Sequence, residues 1–533
     1  MEKSSLLRHS INISVITLIG RFLGLLRVRL EALVLGGGEL ASGWFLAFTL
    51  PNLFRRLLGE GALGQALIPL IAEAERDGAT PKVKRELAVI FAWLGMVLAT
   101  IVIVVSLAAI LAQHWTQNIT DGFWATERIR IFLRLAPLLM PYAFFMCLVG
   151  AIGAVLNYSK VFVLPALGSL LLNFFMIGGL GAVYAGMTAA SNPFTDLQLL
   201  GVLVLISGAT QLVMMTALLK HYDRFPAWDE IKKVDRHAVM AKLYKMLLPG
   251  LGSGAVVQLS FLADRAMASW VGAQAVPALT YVDRLIDVPI GIFAISLSSV
   301  LMASMSRSAA EGNLEAIVSE LVYSLRQVFF ISIPMAAAII FFHETMIRLL
   351  CYGGKFTADD LAATRAVAYF YGAGIPIFCA MKVVVPVFLA RKKMATSFYV
   401  SLCALALNLF LNLLLLKPLQ QGGIALATIC SSFAALSTFF ILLVREGFII
   451  PFGKIFGSFF RCALTAAAAA GAIIAVGWMK CRLEWSWIRQ FLFFLTAGIA
   501  FVVLYIAVAA LLRFPEVRDF ADVMRRKGHK KTA

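Results

Sequence analysis

The chain has 533 residues, 61% of them hydrophobic and only 14% charged, with a mean hydropathy of +0.88. Soluble domains run about 45–50% apolar and about 25% charged, so an apolar excess spread over the whole length marks a polytopic membrane protein. It excludes a disordered chain, a secreted disulfide scaffold and a nucleic-acid binder, and the net charge of +18 must be read by position.

A helix needs about 20 mostly apolar residues to cross the hydrocarbon layer. Breaks at charge clusters, Gly/Pro and polar runs predict fourteen spans, near 12–36, 41–72, 87–112, 128–156, 161–187, 198–219, 243–270, 277–305, 317–342, 365–390, 397–416, 423–444, 457–479 and 488–512. The first run carries three arginines and lacks a small-residue cleavage site, so it is a retained helix and not a cleavable signal. The second is too long and is interrupted by Pro51, Arg55, Arg56, Glu60 and Gly61. It is expected to be kinked or partly re-entrant.

Cations test the count, because loops that stay inside are enriched in Lys and Arg. With the N-terminus inside, inside segments hold 27 Lys and Arg, outside segments hold 7, and the first four outside segments hold none. Both termini are therefore read as cytoplasmic. The tail from Arg525 to Lys531 is a topology signal that can also meet anionic headgroups.

An internal similarity recurs at a spacing of 235. Pro141 and Asn173 stand as far apart as Pro376 and Asn408, with a basic turn between each pair. The Gly36 to Pro51 stretch matches Gly272 to Pro289 at a similar offset. These offsets fit an all-α fold of two six-helix lobes in parallel repeat plus two further C-terminal helices, an arrangement transporters use with a site between halves. The expected divisions are 1–222 for spans 1–6, 223–445 for spans 7–12, 446–512 for the last two spans, and 513–533 for the basic tail.

Eight cations fall well inside spans: Arg21, Arg27, Arg29, Arg55, Arg56, Arg265, Arg284 and Lys382. Five acids join them: Glu31, Glu60, Asp264, Asp283 and Asp287. An Arg at the bilayer centre costs about 2.5–3.5 kcal/mol even on the lenient scale, so these groups should face a wet cavity or one another. Arg27 with Glu31 and Arg284 with Asp287 have helical pair spacing, but five acids leave the set positive. Arg presents a planar fork suited to phosphate oxygens. Arg21, Arg27, Arg55 and Arg284 are thus the candidate binding set for an anionic, phosphate-bearing substrate, with Glu60, Asp283, Asp287 and Lys382 supporting or gating. Asp264, Asn408, Asn412 and Thr428 offer hard oxygen ligands. A sodium site and plain interhelical hydrogen bonding are the two readings of that group.

Catalytic signals are sparse. There is no P-loop, no HExxH and no CxxC, and the seven cysteines mostly lie in apolar runs as small hydrophobes. Outside loops are short and lack a carboxylate set. Transport is favoured over chemistry, and no cofactor is expected.

Several segments resemble one family. Gly20-Arg21-Phe22-Leu23-Gly24-Leu25-Leu26-Arg27 is similar to the first-helix motif of MurJ (MviN) proteins, the lipid II flippases of the multidrug/oligosaccharidyl-lipid/polysaccharide exporter superfamily. Leu50-Pro51-Asn52-Leu53-Phe54-Arg55-Arg56 with Glu60-Gly61-Ala62 is the most specific match. Tyr281-Val282-Asp283-Arg284-Leu285 and Tyr352-Gly353-Gly354-Lys355-Phe356-Thr357 add to it. The resemblance implies fourteen spans in a bacterial inner membrane and alternating access. It implies arginines Arg21, Arg27, Arg55 and Arg284 on a lipid-linked diphosphate, and an apolar groove on the last two spans for the polyprenyl tail. Implied partners are lipid II and the bilayer, with cell-wall synthesis enzymes as candidates and a monomer as the working unit. Sodium or the membrane potential is the implied energy source. This chain has Val28 and Ser42 where that family often carries Asp. Rival readings are a polysaccharide-lipid or drug exporter of the same superfamily, a membrane polyprenyl-diphosphate-sugar transferase, and a silent scaffold.

Overall fold

A computed structural model describes residues 3–76, 80–187, 192–476 and 487–519. Among these residues the regular secondary structure is all helical, apart from an isolated bridge between Gly353 and Phe356. The α-helices are α1 (Lys3–Leu35), α2 (Glu39–Phe54), α3 (Leu63–Arg76), α4 (Thr80–Thr116), α5 (Glu127–Leu139), α6 (Pro141–Tyr158), α7 (Val163–Tyr184) and α8 (Pro193–His221). They continue with α9 (Arg236–Val271), α10 (Ala275–Ala310), α11 (Leu314–Cys351), α12 (Ala358–Ala390), α13 (Met394–Arg445), α14 (Phe452–Ala475) and α15 (Trp487–Leu511).

Nine helices among the described residues are long and apolar enough to cross a membrane. Those outside this set include α1, α9 and α10, which carry most of the embedded charges, and α2, which is only 16 residues long. α13 counts once but contains two expected spans, because Gln420 breaks its helical backbone at φ 48°. The break expected in the second span is a π-helix, Arg55–Ala62, with helical backbone at both borders. The chain therefore continues in one direction and is not re-entrant. Pro51 supplies no N–H to the preceding turn, which weakens the ladder just before the π segment.

The chain forms two compact units. The first comprises residues 1–277 with 353–357, and the second 278–352 with 358–533. In the first, α1 packs on α7, α2 on α5, and α6 and α7 on α8. Gly43 makes the α2–α5 contact close, since a Cβ there would lie 2.6 Å from Ile131. α9 is anchored along its length. Val239, Leu243 and Leu247 join a buried cluster with Leu63, Leu67 and Leu70 of α3, while Trp270 meets Phe123 edge-on near the far end.

The 353–357 turn docks on the end of α1, where the Lys355 N–H donates to the Leu33 carbonyl at 2.9 Å. Gly354 adopts φ +57°, and a Cβ there would meet the Leu33 oxygen at 2.3 Å. Only glycine fits that approach. In the second unit α11 packs on α12 and α14, α12 on α13, and α14 on α15. Each basic turn flagged by the repeat puts a lysine, Lys160 and Lys392, in the left-handed region.

Both units are laced at the ends bearing these turns. In the first, Arg224 pairs with Glu75 at 2.8 Å, and Tyr158 donates to Glu75 at 2.6 Å. The tyrosine bond, then the arginine, holds the Glu75 carboxyl below its ordinary range. In the second, Glu446 receives Lys393 at 2.5 Å and also pairs with Arg391. Burial pushes the Glu446 carboxyl up, but the two cations outweigh it and hold it low.

Candidate functional site

Arg27 of α1 is 6% exposed. Its Nε lies 3.2 Å from Glu31 Oε1, the pairing expected from i,i+4 spacing. Its Nη1 donates to Asn173 Oδ1 of α7 at 3.1 Å. Asn173 Nδ2 in turn donates to the Gly20 carbonyl at 3.3 Å. The α1 backbone thus orients the amide, and the amide orients the guanidinium. Arg21 is half-buried on the same helix and is engaged in a polar or electrostatic interaction, as is Arg29. Val28 and Ser42 are fully buried, so neither position reaches water.

Arg55 opens the π segment, half-buried, and its Nε donates to Asn52 Oδ1 at 3.1 Å. Arg56 lies over the Phe261 ring at 5.1 Å from its centre, and Arg265 lies over the same ring at 4.7 Å. Two guanidiniums therefore share one aromatic of α9, a cation–π arrangement that gains strength away from water. Asp264, beside them, is buried and engaged. The Glu60 side chain lies outside the described residues, although its backbone belongs to the π segment.

In the second unit, Asp283 and Arg284 are half-buried on α10 and Asp287 is exposed. Each is engaged in a polar or electrostatic interaction. Lys382 of α12 is exposed. Asn408 and Asn412 are buried on one face of α13, and Asn412 Nδ2 donates to Asn408 Oδ1 at 3.1 Å. Asn408 Nδ2 donates to Thr428 Oγ1 at 3.3 Å, whose hydroxyl donates to the Ile424 carbonyl at 2.9 Å. Three of the four oxygen-bearing residues singled out from the sequence thus form one chain of neutral hydrogen bonds, while Asp264 belongs to the first unit. Among the described residues no group of three or more His, Cys, Asp or Glu side chains gathers at metal-binding distance.

The second unit also holds an apolar cavity of about 770 Å³ between the later half of α13 and α14, floored by α11 and α12. Phe433, Phe440, Phe452, Phe456 and Phe459 line it, and Arg445 stands at its end. Its apolar lining suits a hydrocarbon chain.

Sequence reasoning missed three arrangements. Asn173 was visible as a repeat position, but its bond to Arg27 spans 146 residues. Arg128 is buried, with Nη1 on Glu39 Oε1 at 2.6 Å and Nε on the Ser269 carbonyl at 3.0 Å, tying α5, α2 and α9 together. Phe261 carried no signal beyond being aromatic in a span.

The model of one protein family, described as "Lipid II flippase MurJ", matches residues 32–498. A "Probable lipid II flippase MurJ" of Rhizobium tropici is 30% identical over 453 residues, covering 84% of this chain and 82% of that one. The protein of the same description from Vibrio cholerae is 27% identical, covering 95% and 96%. Among solved structures, "Lipid II flippase MurJ, inward closed conformation" superposes with a TM-score of 0.74 at 21% identity, covering 94% of this chain and all of that one. An inward-facing multidrug resistance MATE family transporter of the MOP superfamily gives 0.67 at 13% identity, covering 81% and 98%. Both structural likenesses speak to the fold.

Proposed function

The chain belongs to the lipid II flippase MurJ family, and from that premise we propose that it carries lipid-linked peptidoglycan precursor from the inner to the outer leaflet of a bacterial inner membrane by alternating access. It is a transporter, not an enzyme. Arg21, Arg27, Arg55 and Arg284 hold the diphosphate and the adjoining head group, and Glu60, Asp283, Asp287 and Lys382 support or gate them. The observation that carries this reading is Arg27, a guanidinium kept 6% exposed in a span and aimed by Glu31 and Asn173. A cation held ready in an apolar phase stabilises an arriving anion without reorganising. The aromatic-lined cavity beside α14 supports seating the polyprenyl tail on residues 446–512.

The remaining features follow from the same reading. Fourteen spans place both termini in the cytoplasm, segments 1–222 and 223–445 act as the two lobes, 513–533 forms the cytoplasmic tail, and the monomer is the working unit. Cell-wall synthesis enzymes are its candidate protein partners. With a negative interior, moving a doubly charged head outward is downhill by about 4.6 kcal/mol per 100 mV when the arginines stay in place. Asp264, Asn408, Asn412 and Thr428 are the candidate sodium ligands. Sodium dependence should disappear in Asp264→Ala, and dependence that persists in this variant removes them from that role.

The test is depletion–complementation with Arg21→Ala, Arg55→Ala and Arg284→Ala, scored by lipid II exposed on the outer leaflet, with each variant confirmed in the membrane. Precursor retained inside supports the arginine site. Normal exposure by all three variants assigns the arginines to structure and removes the substrate claim.

A further inference from the structure

The first unit holds a cavity lined by two arginines, apart from the embedded ones. It measures about 550 Å³ and lies where the start of α5 and the start of α8 approach α2. Glu127, Arg130 and Arg134 of α5 line it together with Asn192 and Phe194. Arg130 and Arg134 are one helical turn apart, so both guanidiniums reach the same space. Neither has a carboxylate partner among the described residues. Arg130 gives one N–H to the Ile119 carbonyl at 3.1 Å, and Arg134 rests over the Phe194 ring at 5.5 Å from its centre. Asn192 caps α8 by accepting the Phe194 backbone N–H at 2.9 Å.

The placement is unusual for cations. This end of the unit is remote from the belt of Lys84, Arg85 and Arg224, and its connecting segments 36–38, 117–126 and 272–274 carry no Lys or Arg, leaving Lys355 of the docked 353–357 turn as the loop cation there. Topology disfavours cations at such an end, and two like charges one turn apart repel. Arg128, on the same helix, is committed to Glu39. The two uncommitted ones converge on a concave space walled by an aromatic ring. Arg forks bind phosphate oxygens bidentately, and a bound dianion or monoanion relieves the repulsion.

We infer that this cavity binds a phosphate group through Arg130 and Arg134, separately from the site that carries the transported head group. Two sources present that chemistry, the headgroup of an anionic phospholipid and a soluble phosphate, and the test separates them. The full-length protein is purified in detergent, supplied with phosphatidylglycerol or phosphatidylcholine, and weighed intact by native mass spectrometry. Wild type should retain phosphatidylglycerol over phosphatidylcholine, and Arg130→Gln/Arg134→Gln should lose at least fivefold of that retention with an unchanged thermal midpoint. Both side chains are exposed, so folding should survive. Lys417→Gln, an exposed cation of the second unit that lines neither cavity, should retain the lipid as wild type does.

Inorganic phosphate is then titrated against the bound lipid. Retention that resists millimolar phosphate assigns the site to a lipid headgroup, and displacement by phosphate assigns it to a soluble phosphate. Equal phosphatidylglycerol retention by wild type and the double variant, with phosphate altering neither, overturns the inference. That result would leave the lipid II reading untouched, because none of its proposed residues is altered.

Discussion

Asn173 on α7 and Asn408 on α13 stand 235 residues apart, at matching places in the two halves of the sequence. In the first unit the amide oxygen meets a buried guanidinium. In the second the same residue type donates to a threonine hydroxyl and accepts from a neighbouring amide. At these matching sequence positions the polar chemistry differs, one asparagine orienting a charge and the other joining helices. The difference is energetic as well as chemical. Hydrogen bonds to charged groups contribute about 1.5–3 kcal/mol, whereas neutral interhelical bonds in membranes average about 0.6 kcal/mol.

The sharpest way to break this contrast is at Arg27. Arg27→Ala should abolish lipid II exposure and also lower stability by about 3–5 kcal/mol, because it breaks the buried Arg27–Glu31 pair. Arg27→Met combined with Glu31→Leu should restore most of the thermal stability and none of the transport. Recovery of both would make the pair a packing element only. Asn173→Leu comes next and should lower exposure of the precursor about tenfold, with a loss of about 1.5–3 kcal/mol from the charged bond. Asn408→Leu should cost less, near 1–2 kcal/mol for its two neutral bonds, measured as a shift in melting midpoint. An equal or larger transport defect at Asn408 would erase the contrast and speak for an ion at that position.

The smallest effect concerns the two acids that lace the ends of the units. Glu75 and Glu446 both titrate below their ordinary range. Each therefore adds stability that is complete above the unfolded value near 4.5 and is lost as pH falls through the lowered folded value. Both are partly exposed, so solvent screening keeps each contribution below about 1 kcal/mol. Glu75→Gln and Glu446→Gln should each flatten the acid limb of stability against pH, and parallel curves for wild type and variants would exclude this role.

Local pairings were legible in the sequence and distant ones were not. Arg27 with Glu31, and Asn408 with Asn412, follow from helical spacing alone, because four residues bring side chains back to one face. The break after Pro51 was legible from the cluster of proline, arginines and glycines, but its π geometry depends on how the ladder closes around the extra residue. The Asn173–Arg27 bond and the hold of Arg128 on Glu39 and Ser269 depend on which helices become neighbours. A single sequence does not encode that as a pattern. Phe261 shows the same limit, since an aromatic in a span reads as core until two guanidiniums are found over it. The apolar cavity lies between the later half of α13 and α14, whereas the family resemblance implies a groove on the last two spans, and its phenylalanines look like any lipid-facing surface in one dimension.

The π segment also bears on insertions and deletions. Removing one residue from an ordinary α-helix turns everything beyond it by about 100°, which would swing Leu63, Leu67 and Leu70 of α3 out of their buried cluster. Between Arg55 and Ala62 the ladder already absorbs surplus length through wider turns. A single deletion there would draw the segment back to α geometry and leave the faces of α2 and α3 in register. The second span thus contains a place where chain length can change without unfolding the bundle, and it is the same place that aims Arg55 and Arg56.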